Sequence, residues 1–207
     1  MQLGQWMKIL CVIGLLASGT SDVLAQIGIG PRTGVGFYYR SNDNENPEPV
    51  DRLGLHVGAV VDFGLNSFLT LQTEFGYAQK GWRQGFDNLN REYRINYLEG
   101  AALLKLRIGG KFGIQAMAGP YVGLGLNITE TVEAFGQEEE NQLDFDDTVL
   151  ESTDFGGLLG AGVYLKGARS QFFLDLRGAV GFTDLWEGDL ETYSRALTIN
   201  TGVLFAL

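Results

Sequence analysis

The chain has 207 residues, 45% hydrophobic, with 30 glycines, one cysteine and a formal net charge of −10. That hydrophobic share excludes a disordered tail, and the acidic balance argues against a nucleic-acid binder, which carries a basic patch. No apolar stretch of about 20 residues follows the N-terminal one, which excludes a bundle of transmembrane helices. Glycine stands at about twice its usual share of about 7%. Together with 13 Phe, 8 Tyr and 3 Trp, it points to a sheet protein.

Residues 1–25 read as a secretory signal peptide. Lys8 supplies the positive charge, ILCVIGLLA at 9–17 is a short apolar run, and Val23-Leu24-Ala25 closes on a small residue, so cleavage is expected after Ala25. The run is too short to span a bilayer of about 30 Å. Removal leaves 26–207 as one domain without cysteine, because Cys11 is the single one. An exported chain with no disulfide must be held by its fold alone.

Eight stretches of the remainder alternate with period two, as half-buried strands do. The first is 32–39 (RTGVGFYY), starting as early as Gly28, with Pro31 expected at its beginning because proline cannot donate to a ladder. The second is 53–63, and the third, 68–79 (FLTLQTEFGYAQ), alternates most cleanly. The fourth is 93–108, the fifth 112–128, the sixth 155–166, the seventh 171–182 and the eighth 195–207. Several exceed the five or six residues usual in soluble sheets and match the 9–11 that a tilted strand needs to cross a bilayer. The links 64–67, 109–111 and 167–170 are tiny, whereas 41–52, 80–92, 129–154 and 183–194 are long and polar. Short and long links alternate throughout. The expectation is an all-β fold: an eight-stranded antiparallel up-and-down transmembrane β-barrel with short periplasmic turns and long outside loops, in the outer membrane of a Gram-negative cell.

Each strand has an apolar face and a small or polar one. A soluble lipocalin-like barrel would turn the apolar face inward, and a membrane barrel turns it to lipid. The polar face carries Arg32, His56, Asp62, Glu74, Glu99, Lys105, Arg107, Asp175 and Arg177, four acids against four bases besides the histidine, with Lys166 at a rim. Charges inside a narrow barrel are costly unless paired, so a balanced set fits an interior polar network. Aromatics gather at both strand ends, as interfacial girdles would. Phe63, Phe68, Phe112, Phe172, Phe173 and Phe205 are near the short turns, and Phe37, Tyr39, Tyr77, Trp82, Tyr93, Phe182, Trp186 and Tyr193 are near the long loops.

Five segments resemble the PorT-like or porin-like outer-membrane β-barrel family common in Bacteroidota: LTLQTEFGYAQKG at 69–81, YLEGAALLKL at 97–106, AGPYVG at 118–123, DFGGLLGAG at 154–162 and LDLRGAVGFTDL at 174–185. Gly100-Ala101 departs from that family's apolar-proline pair, and the chain ends on Leu207 where an aromatic is usual. The resemblance implies location and fold, and little about activity.

Candidate chemistry is sparse. His56 is the single histidine, and with no serine beside it in sequence an interior hydrogen-bonded histidine is a simpler reading than a Ser–His–acid hydrolase. No Cys/His metal spacing and no phosphate loop leading into a helix occur, so no cofactor and no enzymatic activity are expected. Glycines 123, 125, 157, 160 and 162 read as small residues needed by a tightly curved sheet. The stretch 130–154 holds ten acids and no Lys or Arg, so the rest of the chain balances at fifteen of each. Within it Asp144, Asp146 and Asp147 could gather divalent cations through oxygen ligands, although they lack the EF-hand order and its glycine, and a solvated anionic loop is the simpler reading. The expected partners are outer-membrane lipid and the barrel assembly machinery. The expected state is a monomer that acts as a structural or interaction protein through its outside loops. Alternatives are a small-solute channel or an accessory role in envelope secretion or assembly.

Overall fold

The computed structural model describes residues 27–42, 53–86, 89–134, 137–143, 145, 152–183 and 192–207. Nine strands form in chain order: β1 (Ile27–Asn42), β2 (Leu53–Gly64), β3 (Leu69–Phe86), β4 (Leu89–Gly109), β5 (Phe112–Ala134), β6 (Gln137–Leu143), β7 (Thr153–Lys166), β8 (Ser170–Gly181) and β9 (Thr192–Ala206). Every pairing is antiparallel, from β1–β2 round to β8–β9, and the β1–β9 pairing closes the ring. Eight strands make this barrel. The ninth, β6, pairs only with the outer part of β5, from Ile128–Leu143 to Ala134–Gln137.

Period two decides which side each residue takes, because successive side chains point to opposite faces of a strand. Outward positions are apolar and exposed on β8 (Phe172, Leu174, Leu176, Val180), β5 (Ile114, Val122, Leu124) and β2 (Leu53, Leu55, Val57), and the belt continues onto the other strands. So much exposed apolar surface is untenable in water and is what lipid contact requires. Inward positions alternate with them and are largely polar. Two apolar layers also lie inside. Val60, Tyr164, Phe173 and Leu204 form one toward the short-turn end. Ala78, Ile95, Tyr97 and Ile128 form the other toward the long-hairpin end, where Tyr93, Leu143 and Phe145 cover it.

Four expectations need correction. Pro31 lies inside β1, not at its start. It is tolerated because the β1–β9 ladder lapses between the pairs Ile29–Phe205 and Arg32–Gly202, where proline has no N–H to give. The third strand runs on to Phe86 and pairs with β4 as far as Leu89, so most of the long link 80–92 is a hairpin standing above the belt. The acidic stretch is likewise a hairpin in part, with Glu130 and Glu133 in β5 and Glu139 and Glu140 in β6. Phe173 is not a girdle residue: its parity turns it inward, where it is 3% exposed, while Phe68, Phe112, Phe172 and Phe205 remain outside at that end. At the other end Phe37, Phe155 and Phe182 are exposed, and Tyr93 packs against the inner layer. Trp186 lies outside the described residues, as do the side chains of Tyr39, Trp82 and Tyr193.

Glycine does two jobs. Gly109 takes φ +128° in the turn between β4 and β5, a conformation other residues rarely adopt. Elsewhere inward glycines leave room for large neighbours. A side chain at Gly54 would collide with the Tyr38 ring, at Gly113 with Tyr164, at Gly156 with Tyr121, and at Gly162 with Asp175.

Candidate functional site

The barrel interior is where the sequence concentrates its chemistry. Arg32, His56, Asp62, Glu74, Glu99, Lys105, Asp175 and Arg177 are buried, and Arg107 is half-buried toward the short-turn end. They are arranged in three groups along the barrel.

The central group is built on Glu74 of β3. Its carboxylate receives Arg177 of β8 at 2.8 and 2.9 Å and Arg32 of β1 at 3.1 Å. Gln72, two residues earlier on the same face, also donates to it. Arg177 spans to Asp175 at 3.0 Å, which also receives the Gln115 amide. Arg32 donates to the Asn200 carbonyl at 3.0 Å, and Asn200 in turn donates to Thr198 at 2.8 Å. Two guanidiniums between two carboxylates offset the desolvation that would otherwise exclude them.

Toward the short-turn end, Lys105 of β4 grips both oxygens of Asp62 at 3.0 and 3.2 Å. Its ammonium lies 5.7 Å from the Phe173 ring centroid, within cation–π range. Arg107 donates to the Gln171 carbonyl at 3.2 Å and lies 3.8 Å from Asp62.

Toward the hairpin end stands a group the sequence reading missed. By link length alone Lys80 falls in the long link 80–92 and Asp154 in the acidic stretch. Both point inward. The Lys80 ammonium is 2.9 Å from Glu99 and 2.8 Å from Asp154, and its flanks are the rings of Tyr121 (4.7 Å) and Tyr97 (5.1 Å). Tyr121 donates to the other Asp154 oxygen at 3.1 Å. Parity held the signal: Lys80 continues the inward series Gln72, Glu74, Gly76, Ala78, and Asp154 shares the parity of Gly156 and Gly160. With these two, the interior of the described residues holds five acids and five bases.

His56 is beside this group. Its ring stacks on Tyr38 with centroids 5.8 Å apart, and its Nε2 pairs with the Tyr38 hydroxyl. Its partner is thus a phenol, and among the described residues no serine is hydrogen-bonded to it. A cavity of about 20 Å³ lies among Arg32, Tyr38, His56, Lys80, Glu99 and Arg177, enough for about one water.

Outside the belt the hairpins carry their own polar contacts. Tyr93 donates to Glu130 across the β4–β5 pair at 2.7 Å. Burial, followed by that hydrogen bond, raises its phenol above the ordinary tyrosine value. Asn90 reaches Glu133 at 3.4 Å. Asp144, Asp146 and Asp147 lie outside the described residues.

A family model described as outer membrane protein beta-barrel domain matches residues 19–187. No curated protein sequence matches the chain. Among solved structures, the chain is similar to OprG from Pseudomonas aeruginosa at 11% identity, covering 88% of this chain and 96% of that one, with a TM-score of 0.49. It is similar to Neisserial surface protein A at 11% identity, covering 86% and 97%, TM-score 0.46. It is also similar to Ail, the attachment invasion locus protein of Yersinia pestis, at 10% identity, covering 88% and 100%, TM-score 0.44. The matched span takes in most of the closed sheet, and the exposed apolar belt supplies the lipid-facing surface such a domain needs. The chain belongs to the outer membrane protein beta-barrel domain family and resides in the outer membrane as an eight-stranded barrel.

Proposed function

We propose that the protein is a closed barrel that acts as a structural or interaction element, presenting the β3–β4 and β5–β6 hairpins outside the cell. The filled interior carries this reading. Ion pairs, the two apolar layers and the inward tyrosines occupy the axis, and the cavity between Tyr38 and Arg177 holds only about 20 Å³. Eight strands leave an interior just wide enough for side chains. A continuous water path would have to break buried pairs such as Arg177–Glu74 and Lys80–Asp154. The pairing of His56 with the Tyr38 hydroxyl supports reading it as an interior hydrogen-bonded histidine. Reconstitution in planar bilayers tests the reading: no steady ohmic current is expected, and reproducible unit steps would establish a small-solute channel instead.

Two finer assignments belong to the same reading. The segments at 69–81, 118–123 and 154–162 favour the PorT-like branch of the family. Co-purification with envelope secretion proteins would move the role toward accessory assembly. Residues 1–25 are proposed to be a cleaved signal peptide, so sequencing the membrane-extracted protein should begin at Gln26. Equilibrium dialysis against Ca²⁺ tests whether Asp144, Asp146 and Asp147 bind cations.

A further inference from the structure

The short-turn mouth of the barrel is a cleft of about 220 Å³. It is lined at its rim by Lys166, the last residue of β7, and Arg169 of the β7–β8 turn, and inside by Asp62, Arg107, Gln171 and Leu204. Its charge is one-sided. The single acid in the lining, Asp62, is gripped by Lys105 at 3.0 and 3.2 Å and shared with Arg107 at 3.8 Å, so among the described residues Lys166 and Arg169 face the opening without a counter-ion and one carboxylate serves the cations behind them.

The hydrogen-bond inventory points the same way. Gln171 is 8% exposed, and its carbonyl oxygen accepts from Arg107 at 3.2 Å. That bond fixes the amide orientation and leaves Nε2 as the donor without a partner. Gln171 Nε2 and Arg107 Nε are both buried without an acceptor among the described residues. Buried donors without acceptors are costly, and two of them beside three cations call for one kind of guest: an oxyanion rich in acceptor oxygens. The cleft is several times the roughly 30 Å³ share of one water, which leaves room for a phosphate-sized group. Behind it the layer of Val60, Tyr164, Phe173 and Leu204 closes the axis, so the cleft is a dead-end vestibule.

We infer that this periplasmic vestibule is a binding site for a phosphate group, held by Arg107, Gln171, Lys166 and Arg169. Two sources share that chemistry: free phosphate in the periplasm and the headgroup of an inner-leaflet phospholipid. The inference is independent of whether the barrel conducts.

The test is isothermal titration of the protein purified in a phosphate-free maltoside detergent. The probes are inorganic phosphate and, separately, dihexanoyl phosphatidic acid below its micellar concentration. Saturable one-site binding is expected, weakened at least tenfold in the double variant Lys166→Gln/Arg169→Gln. Both of those residues are exposed, so the barrel should still fold, and retention of its gel shift confirms that it has. Arg107→Gln should weaken binding similarly. Tighter binding of the lipid analogue assigns the headgroup, and equal or tighter binding of inorganic phosphate assigns the free anion; either outcome supports the site. The inference is overturned if neither probe binds saturably, or if the double variant binds as the parent does.

Discussion

Glu74 holds two guanidiniums at once, so its removal is not a simple loss of one ion pair. Replacement by alanine would leave Arg177 and Arg32 facing each other with Asp175 as the nearest remaining acid. Breaking a buried pair from one side costs about 3–5 kcal/mol. Glu74→Ala should therefore lower the urea midpoint of the refolded barrel by an amount equivalent to that range. Glu74→Gln, which keeps an acceptor oxygen, should lose less. An equal, small loss in both variants would show that the group is solvated rather than desolvated. Lys80 invites the same comparison at the other end, since Lys80→Met strands Glu99 and Asp154 together. Most of these side chains could be assigned to one face by counting in twos. Counting could not say which strand's acid meets which strand's base. Glu74 and Arg177 are 103 positions apart and meet because the ring closes.

At the scale of single strands, the outward rows are apolar because lipid, not water, is their solvent. Leu176 sits near the middle of β8, opposite Ala161 and Ile199. Leu176→Arg should destabilise the barrel by about 2–4 kcal/mol, as charges at the bilayer midplane do, measured by reversible urea unfolding in vesicles. A cost near zero would move this belt out of the hydrocarbon. The hairpins predict a boundary instead of a cost. Removing residues 131–151 cuts the acidic hairpin above the belt, so the barrel should still form and keep its gel shift. Extending the deletion through Asp154 takes away one of the two acids that hold Lys80, and folding yield should fall sharply. Strand identity was legible in the sequence, because alternation survives in eight separate stretches. Strand ends were not: polar residues above the belt still pair, as Arg83–Glu92 and Gln84–Arg91 do, and hydropathy alternation fades where both faces meet water. Lys80 was missed for that reason.

For the whole molecule, ring closure removes every free barrel edge and couples the strands into one unit. The natural prediction is heat modifiability: the unboiled protein should migrate differently from the boiled one on a denaturing gel. Identical migration, together with recovery in the soluble periplasmic fraction, would count against the barrel. Charge takes on a different meaning at this scale. The net −10 is set by the stretch 130–154, yet Asp154 works inside, Glu130 is tied to Tyr93, and the opposite mouth is basic. The molecule is polarised from an acidic hairpin end to a cationic short-turn end, which composition alone could not show.

The sequence by itself determined the fold class, the number of barrel strands and the sorting of apolar and polar faces. These follow from local periodicity and link length, which each strand carries without reference to the others. The tertiary structure alone decided the Glu74–Arg177–Arg32 and Lys80–Glu99–Asp154 groupings, the seating of tyrosines over inward glycines, and the vestibule beneath Phe173. Those depend on the stagger between strands and on closure of β1 against β9, which bring together residues that no local pattern relates.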